Sequence, residues 1–363
     1  MSLFISNLPS KNYCYTIAEV GVNYILASKD LKSLGFSSSL EVAFRMVDLA
    51  KSAGVDAIKF QSFITEHLQF KGTKKPQYQR ENIKNGENVS YFDFIKSLEP
   101  NQTDQIEISK YCAEKEITFL STPYDEKSVD FLDEIINVPF FKLASIELNN
   151  HLFIRYVAKK GKPILLSTGL STLKDIKAVV EISKKEGFID NLVLLQCTSD
   201  YPTKIEEINL NVLKTFKDKF PNIPFGFSDH STTHLASIAA VAIGAVVVEK
   251  HFTLDKSFRG SDHTSSLNPQ ELKKWVEYIR NCSVSLGSFE KKITKSEKKN
   301  ETMRKYLVIT PQDKDIVINE SMLMVMRTGK GILPIDKNLK KIIGKRLKIK
   351  ISEPSILEWN MIY

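Results

Sequence analysis

The sequence predicts an α/β chain in which a (β/α)8 TIM barrel is followed by a small β-rich domain. Three observations carry this. Eight short apolar runs recur along residues 1–287, and each closes on a polar residue. Most of the gaps between them are long enough for a helix and carry apolar residues at helical spacing. After Leu286 the texture changes to a charged stretch and then to short alternating runs. Strands that alternate with helices lie parallel, because each return crosses a face of the sheet, and eight such units close into a barrel.

The runs end at Glu19, Lys59 to Gln61, Ser121 and Thr122, Lys142 to Ser145, Ser167 and Thr168, Gln196, Ser228 to His230, and Glu249 to His251. In Leu40 to Ala53, residues Val42, Met46, Leu49 and Ala50 share one helical face, and Gly54 stops the helix. Comparable patterns predict helices over 103–115, 128–136, 150–160, 173–186, 211–220, 233–244 and 269–286. Residues 288–303 are charged and nearly free of large apolar side chains, which reads as a linker. Residues 304–363 carry YLVIT, SMLMVM and KRLKIKI between Asp, Asn, Gly and Pro, the pattern of short strands.

The composition, 42% hydrophobic with a net charge of +8, is that of a globular protein. The lysines are spread along the chain without an aromatic-basic motif, which argues against nucleic acid and leaves a bias toward anionic substrates. Cys14, Cys112, Cys197 and Cys282 show no metal spacing and read as reduced thiols. No signal-peptide pattern or membrane span is present, so a cytoplasmic protein without a membrane partner is expected.

In barrels of this kind chemistry sits at the C-terminal strand ends. His230 and His251 end consecutive strands, with Glu249 and Asp262 nearby, a grouping that suits a divalent ion. Lys59 and Lys142 end two otherwise apolar runs and must meet an anion or lose their charge. Either one forms a Schiff base, or both hold a phosphate or carboxylate together with Thr122, Ser145 and Ser167. Glu19 and Glu147 are acid-base groups, sugar ligands or partners of those lysines.

Taken in order, IAEVG, DAIKFQ, FLSTP, FKLAS, ILLSTG, LLQCTSDYPT, GFSDH, EKHFTLDK and GSDHTSSLNP resemble the N-acetylneuraminate (sialic acid) synthase family, with its legionaminate, pseudaminate and spore-coat branches. The likeness extends over nearly all of residues 15–363, because the tail resembles the family's antifreeze-like (SAF) domain, with VMRTGKGILP in place of KRPGxGISP.

The resemblance implies condensation of phosphoenolpyruvate with an open-chain N-acylated hexosamine, N-acetylmannosamine by default, to a nine-carbon 2-keto acid plus phosphate. It implies His230 and His251 as ligands of a divalent metal, Mn2+ or Mg2+. Lys59, Thr122, Lys142, Ser145, Ser167 and Ser228 match phosphoenolpyruvate-binding positions, and Glu147 matches the acid-base glutamate. Glu19, Gln61, Tyr201, Glu249 and Asp262 match sugar- or site-ordering positions. Arg327 matches an arginine that reaches the barrel of a partner subunit, which implies a domain-exchanged homodimer.

Departures from the family are Tyr24 for a usual His, an insertion at 25–39, Ser199 for an Asn at a phosphoenolpyruvate contact, and Met326-Arg327-Thr328 for Lys-Arg-Pro. GSDH at 260–263 looks like the neuraminate and legionaminate branches, whereas FKLASIE looks like the pseudaminate and spore-coat branches. Two readings from other classes stay open: a Schiff-base aldolase using Lys142, and a non-catalytic carbohydrate-binding protein.

Overall fold

Each apolar run forms a strand of one parallel sheet: β1 (Tyr15–Gly21), β2 (Ala57–Ser62), β3 (Thr118–Pro123), β4 (Phe141–Leu143), β5 (Ile164–Ser167), β6 (Leu192–Gln196), β7 (Phe225–Asp229) and β8 (Val247–His251). The hydrogen-bonded order is β3-β2-β1-β8-β7-β6-β5-β4, so β1 pairs with β8 and the sheet curls into a barrel. β3 and β4 lie side by side, but among the described residues no ladder joins them, and β4 is three residues long. The computed structural model describes residues 3–6, 8, 12–82, 89–258 and 260–363. Its chain separates into two units, Met1–Gly287 and Ser288–Tyr363.

The covering helices fall close to the apolar patterns. Ser39–Ala53 starts at Ser38, whose side chain accepts the Glu41 N–H, and ends at Gly54 with φ 83°. It buries Val42, Ala43, Met46, Val47 and Ala50. Gln102–Glu114, His151–Ala158, Leu173–Glu186, Asn211–Lys219, Leu235–Ile243 and Pro269–Ser285 follow the same logic. One expectation is corrected: the helix expected over 128–136 is an α-helical turn, Glu126–Asp130, that widens into a π-helical turn, Phe131–Ile135, burying Phe131 and Leu132. Among the described residues no helix is long and apolar enough to cross a membrane.

The alternation of side chains along a strand decides what reaches the interior. Ile17, Ala57, Leu120, Leu165, Val193, Leu195 and Val247 fill the barrel, and Phe4 and Phe140 pack into the same cluster. Gly226 belongs to this inward set. A Cβ there would lie 2.4 Å from the Val247 carbonyl oxygen and 2.6 Å from Leu195 Cδ2, so only glycine fits. Continuing each inward series toward the C-terminal end brings Glu19, Lys59, Gln61, Thr122, Lys142, Ser167, Ser228, Glu249 and His251 to one end of the barrel.

The opposite parity takes Lys250 and Asp229 outward, beneath the helices. They form a fully buried ion pair at 2.9 Å, with Ser237 Oγ donating to Asp229 at 2.6 Å. Gln196 is also outward, its Nε2 donating to the Ile208 carbonyl at 3.3 Å. Cys197 takes the inward place that the end of that run suggested for Gln196.

Two insertions were not assigned helices from sequence. Residues 25–39 contain the helix Ser28–Leu34. Between β2 and its covering helix, the chain forms Thr65–Leu68, Gln77–Asn82 and Tyr91–Ser97.

In the second unit, β9 (Lys305–Ile309) pairs antiparallel with β10 (Leu323–Arg327) and β11 (Ser355–Ile356). Leu307, Ile309, Ile318, Ile332, Ile342, Leu347, Ile351, Leu357 and Ile362 form its core. The KRLKIKI run, read as a strand, makes only isolated bridges such as Leu347 to Ile362. Helix Asp336–Ile342 was not expected. Residues 288–303 include the capped turn Lys295–Lys298 and the 3-10 turn Glu301–Met303.

Candidate active site

At the C-terminal strand ends the inward side chains close around a cavity of about 550 Å³. Two lysines and two glutamates form its charged floor. Lys59 Nζ lies 2.5 Å from Glu19 Oε2 and 3.5 Å from Glu249 Oε2. It also donates to Thr122 Oγ1 at 2.9 Å. Lys142 Nζ lies 3.5 Å from Glu249 Oε1 and donates to the Leu143 carbonyl at 3.2 Å. All four charged side chains are at most 4% exposed. Register explains the first contact, because Glu19 and Lys59 are direct partners across β1 and β2.

Burial sets the protonation of this group. It would raise the Glu249 carboxyl, but Lys142 and Lys59 outweigh it and hold the group down at about 2. For Glu19 burial wins over the pull of Lys59, and the carboxyl rises. Burial works to discharge Lys59, but Glu19 and Glu249 raise it on balance. Lys142 is lowered by burial, which Glu249 only partly offsets. The floor therefore holds lysines whose present partners are carboxylates, an arrangement into which a small anion fits.

Hydroxyl groups line the same end. Ser228 Oγ donates to Glu249 Oε1 at 2.9 Å, and Ser145 and Ser199 hydroxyls meet at 2.8 Å. Ser167 Oγ is buried without a hydrogen-bond partner. Gly169 packs against these groups. A Cβ there would lie 2.2 Å from Ser199 Oγ, and its N–H instead donates to Cys197 Sγ at 3.2 Å. Gln61 Nε2 donates to Glu19 Oε1 at 3.4 Å.

His230 and His251 stand next to each other, ring centroids 5.4 Å apart. His230 Nδ1 donates to the Thr198 carbonyl at 2.7 Å, which turns Nε2 toward Ser228 Oγ at 3.3 Å. Burial pushes His230 down to about 4 and His251 well below its ordinary value, so both rings are neutral and carry a free lone pair. His251 Nδ1 is buried without a hydrogen-bond partner. A neutral imidazole oriented through its other nitrogen by a backbone carbonyl suits a metal ligand; His230 meets this, and His251 brings a buried nitrogen without a partner beside it, so the two rings fit a divalent ion. Among the described residues no group of three His, Cys, Asp or Glu side chains is arranged around one point.

An aromatic wall continues from the histidines. Tyr201 stacks on His230 at 4.2 Å, and Tyr78 meets Tyr201 at 5.0 Å. Asp262 lines the cavity, its carboxyl lifted by burial to about 6. Tyr78, Gln79, Tyr91 and Phe94, from the insertion after β2, complete this side. They escaped sequence reading because the insertion carries no strand-end pattern. The QYQ and YFDF runs, aromatic residues inside a polar loop, are the signal that could have marked them.

The other expected site residues sit elsewhere. Glu147 is buried beside Ser145 but outside the wall of the cavity, its Oε2 accepting from Asn150 Nδ2 at 2.8 Å. Burial raises its carboxyl. Arg327 is exposed at the end of β10 in the second unit. Tyr24 is buried edge-on against Phe60 at 5.5 Å, away from the cavity wall, with its hydroxyl unpartnered.

The chain resembles known proteins along its whole length. It is 35% identical to N,N'-diacetyllegionaminic acid synthase of Legionella pneumophila over 96% of this chain and 94% of that protein. It is 35% identical to human N-acetylneuraminate-9-phosphate synthase over 94% of this chain and 90% of that one. The crystal structure of N-acetylneuraminic acid synthetase from Leptospira borgpetersenii superposes with a TM-score of 0.68 at 29% identity, covering 83% of this chain and 95% of that one. Residues 46–291, which span most of the barrel and its catalytic-end cavity, match the NeuB family model, and the chain belongs to the NeuB family.

Proposed function

We propose that the protein condenses phosphoenolpyruvate with the open-chain form of an N-acylated hexosamine, releasing phosphate and forming a nine-carbon 2-keto sugar acid. The observation that carries this reading is the buried floor of Lys59, Lys142, Glu19 and Glu249, ringed by hydroxyls and bordered by two neutral imidazoles in one cavity. The names of the relatives support it.

Lys59 and Lys142 take the phosphate and carboxylate of phosphoenolpyruvate, with Thr122, Ser145, Ser167, Ser199 and Ser228 donating to its oxygens. Glu19 and Glu249 keep the two ammonium groups charged and aligned until that anion arrives. C3 of phosphoenolpyruvate attacks the aldehyde carbon, the aldehyde oxygen takes up a proton, water adds at C2 with loss of a proton, and the C2–O bond to phosphate breaks. Glu147, with its raised carboxyl, exchanges those protons after releasing Asn150. His230 and His251 would hold a divalent ion, Mn2+ or Mg2+, which supplies polarisation of the aldehyde when bound. Gln61, Tyr201 and Asp262 border the sugar.

The tail is an SAF-type domain in this reading, and the working form is a homodimer in which Arg327 of one chain borders the site of the other. In support, the barrel unit exposes Ile146, Leu152, Leu170, Ile205 and Leu235 in the segments after β4 to β7, at 54–78%. The second unit exposes Met324, Val325 and Met326 beside Arg327, at 43–47%. Exposed apolar side chains of this kind are what an interface would bury.

The lowered pKa of Lys142 gives a second reading, a Schiff-base aldolase. The two are separated by phosphate release measured with and without sugar, before and after chelation. Condensation predicts release that needs both sugar and metal. Metal-independent borohydride trapping of pyruvate on Lys142 would favour the aldolase.

A further inference from the structure

The insertion after β2 is pinned at its neck. Where it leaves the barrel, the Ile64 N–H donates to Asp125 Oδ2 at 2.9 Å, and Ser128 donates to the same carboxylate through its N–H and its hydroxyl. Where it returns, Glu99 Oε2 accepts the Thr65 N–H at 2.8 Å and Lys96 Nζ at 2.9 Å. Lys96 also donates to Glu66 Oε2 at 3.0 Å, so one carboxylate and one ammonium join helix Thr65–Leu68 to helix Tyr91–Ser97. Past Glu99 the chain is framework. Asn101 caps helix Gln102–Glu114 by accepting the Thr103 N–H at 2.8 Å. The buried Gln105 of that helix donates to the Gln61 carbonyl at 3.0 Å and accepts from the Ser62 hydroxyl at 2.6 Å. Glu99 is therefore the joint between a helix fixed to β2 and the insertion.

Leu68, Gln69, Tyr78, Gln79, Tyr91 and Phe94 of the insertion line the catalytic-end cavity, and Tyr78 meets the barrel at Tyr201. Glu99 lies outside that wall. It lines a second cavity, of about 530 Å³, with Phe63, Ile64 and Gln105, and Phe63 borders both cavities. Glu99 thus holds the wall from behind, outside the space a substrate occupies. Of its two bonds, the one to Thr65 is the stronger constraint. Lys96 is 44% exposed, and an ion pair there is screened and contributes little. Thr65 is fully buried, so its N–H would find no water in place of the carboxylate.

We propose that Glu99 is a positioning residue for the sugar: its hydrogen bond to the Thr65 N–H keeps the two ends of the insertion together and so holds Tyr78, Tyr91 and Phe94 at the sugar side of the cavity. This rests on the condensation reading and adds to it a residue that touches no substrate. Three substitutions isolate the bond. Glu99→Leu keeps the bulk of the side chain and removes the acceptor, whereas Glu99→Gln keeps an acceptor oxygen. Thr65→Pro removes the donor instead. Thr65 opens its helix, a position where proline is favoured, and Ile64 before it is extended at φ −108° and ψ 119°, as a residue before proline must be. The Thr65 hydroxyl has no hydrogen-bond partner to lose.

The test measures kcat and the sugar KM at saturating phosphoenolpyruvate, the phosphoenolpyruvate Kd by calorimetry, and hydrogen exchange of peptides from 63–82 and 89–98. The sugar is whichever of N-acetylmannosamine, its 6-phosphate and 2,4-diacetamido-2,4,6-trideoxymannose the wild-type protein turns over fastest. Glu99→Leu and Thr65→Pro should each raise the sugar KM by about tenfold, the change that one lost hydrogen bond to a charged acceptor can carry. Both should leave kcat and the phosphoenolpyruvate Kd within about twofold, the mark of lost uniform binding, and should speed exchange in the insertion but not in β1 to β8. The double variant should be no worse than either single one, because both remove the same bond. Glu99→Gln should stay near wild type. An unchanged sugar KM in folded Glu99→Leu and Thr65→Pro proteins overturns the proposal while leaving condensation standing. So does a Glu99→Gln protein as impaired as Glu99→Leu, or an equal loss of phosphoenolpyruvate affinity, which general damage to the fold would give. No turnover of any sugar by the wild-type protein removes the condensation reading and the role in sugar binding with it.

Discussion

Lys142 is a buried ammonium whose nearest carboxylate, on Glu249, is 3.5 Å away, so its charge is only loosely satisfied and an arriving anion gains much from it. Lys142→Met keeps most of the stem and removes the charge. Phosphoenolpyruvate binding should weaken by about 2–5 kcal/mol, the cost of losing one partner of a buried charge pair. Titration calorimetry reads this directly, and an unchanged Kd would assign the lysine another task. Glu147 makes the complementary prediction. If it moves protons, Glu147→Gln should lower kcat by roughly 10²–10⁴ while leaving phosphoenolpyruvate affinity intact. Near-normal turnover in Glu147→Gln would hand the proton to Glu19, which already faces the cavity and whose carboxyl is also raised.

On the scale of strands and helices, parity separates function from framework. Glu249 and His251 face inward, and Lys250 between them pairs with Asp229 on the outer side. Lys250→Met should therefore destabilise the fold by about 3–5 kcal/mol, because it strands a buried carboxylate. Correctly folded Lys250→Met molecules should keep their turnover. Urea denaturation together with activity per folded molecule checks both halves, and a stable but inactive protein would contradict the assignment.

The same parity explains what was legible in the sequence. Strand ends could be read from apolar runs, and Glu19, Lys59, Thr122, Lys142, Ser167, Ser228, Glu249 and His251 from those ends line one cavity. Gln196 was not legible, since a run's last residue carries no mark of the side it faces. The aromatic wall was not legible either, because Tyr78, Tyr91 and Phe94 are brought to the site by loop packing rather than by periodicity. The π-helical turn at Phe131–Ile135 and the helix Asp336–Ile342 were missed where a few apolar residues suit more than one period.

For the whole molecule, the proposed dimer makes its own prediction. Arg327→Ala and Glu147→Ala proteins, each expected to be nearly inactive, are mixed and allowed to exchange subunits. If Arg327 serves the partner's barrel, mixed dimers contain one intact site, and random exchange should restore roughly a quarter of wild-type activity. Mixed dimers no more active than their parents would contradict the exchange. The account as a whole stands on the formation of a carbon–carbon bond between phosphoenolpyruvate and a sugar. Its most direct test is mass spectrometry of the product after incubation with phosphoenolpyruvate, a divalent ion and N-acyl hexosamines. The predicted product has the mass of phosphoenolpyruvate plus sugar plus water less phosphoric acid, formed one for one with phosphate. Phosphate accompanied only by pyruvate, with the sugar unconsumed, would contradict it.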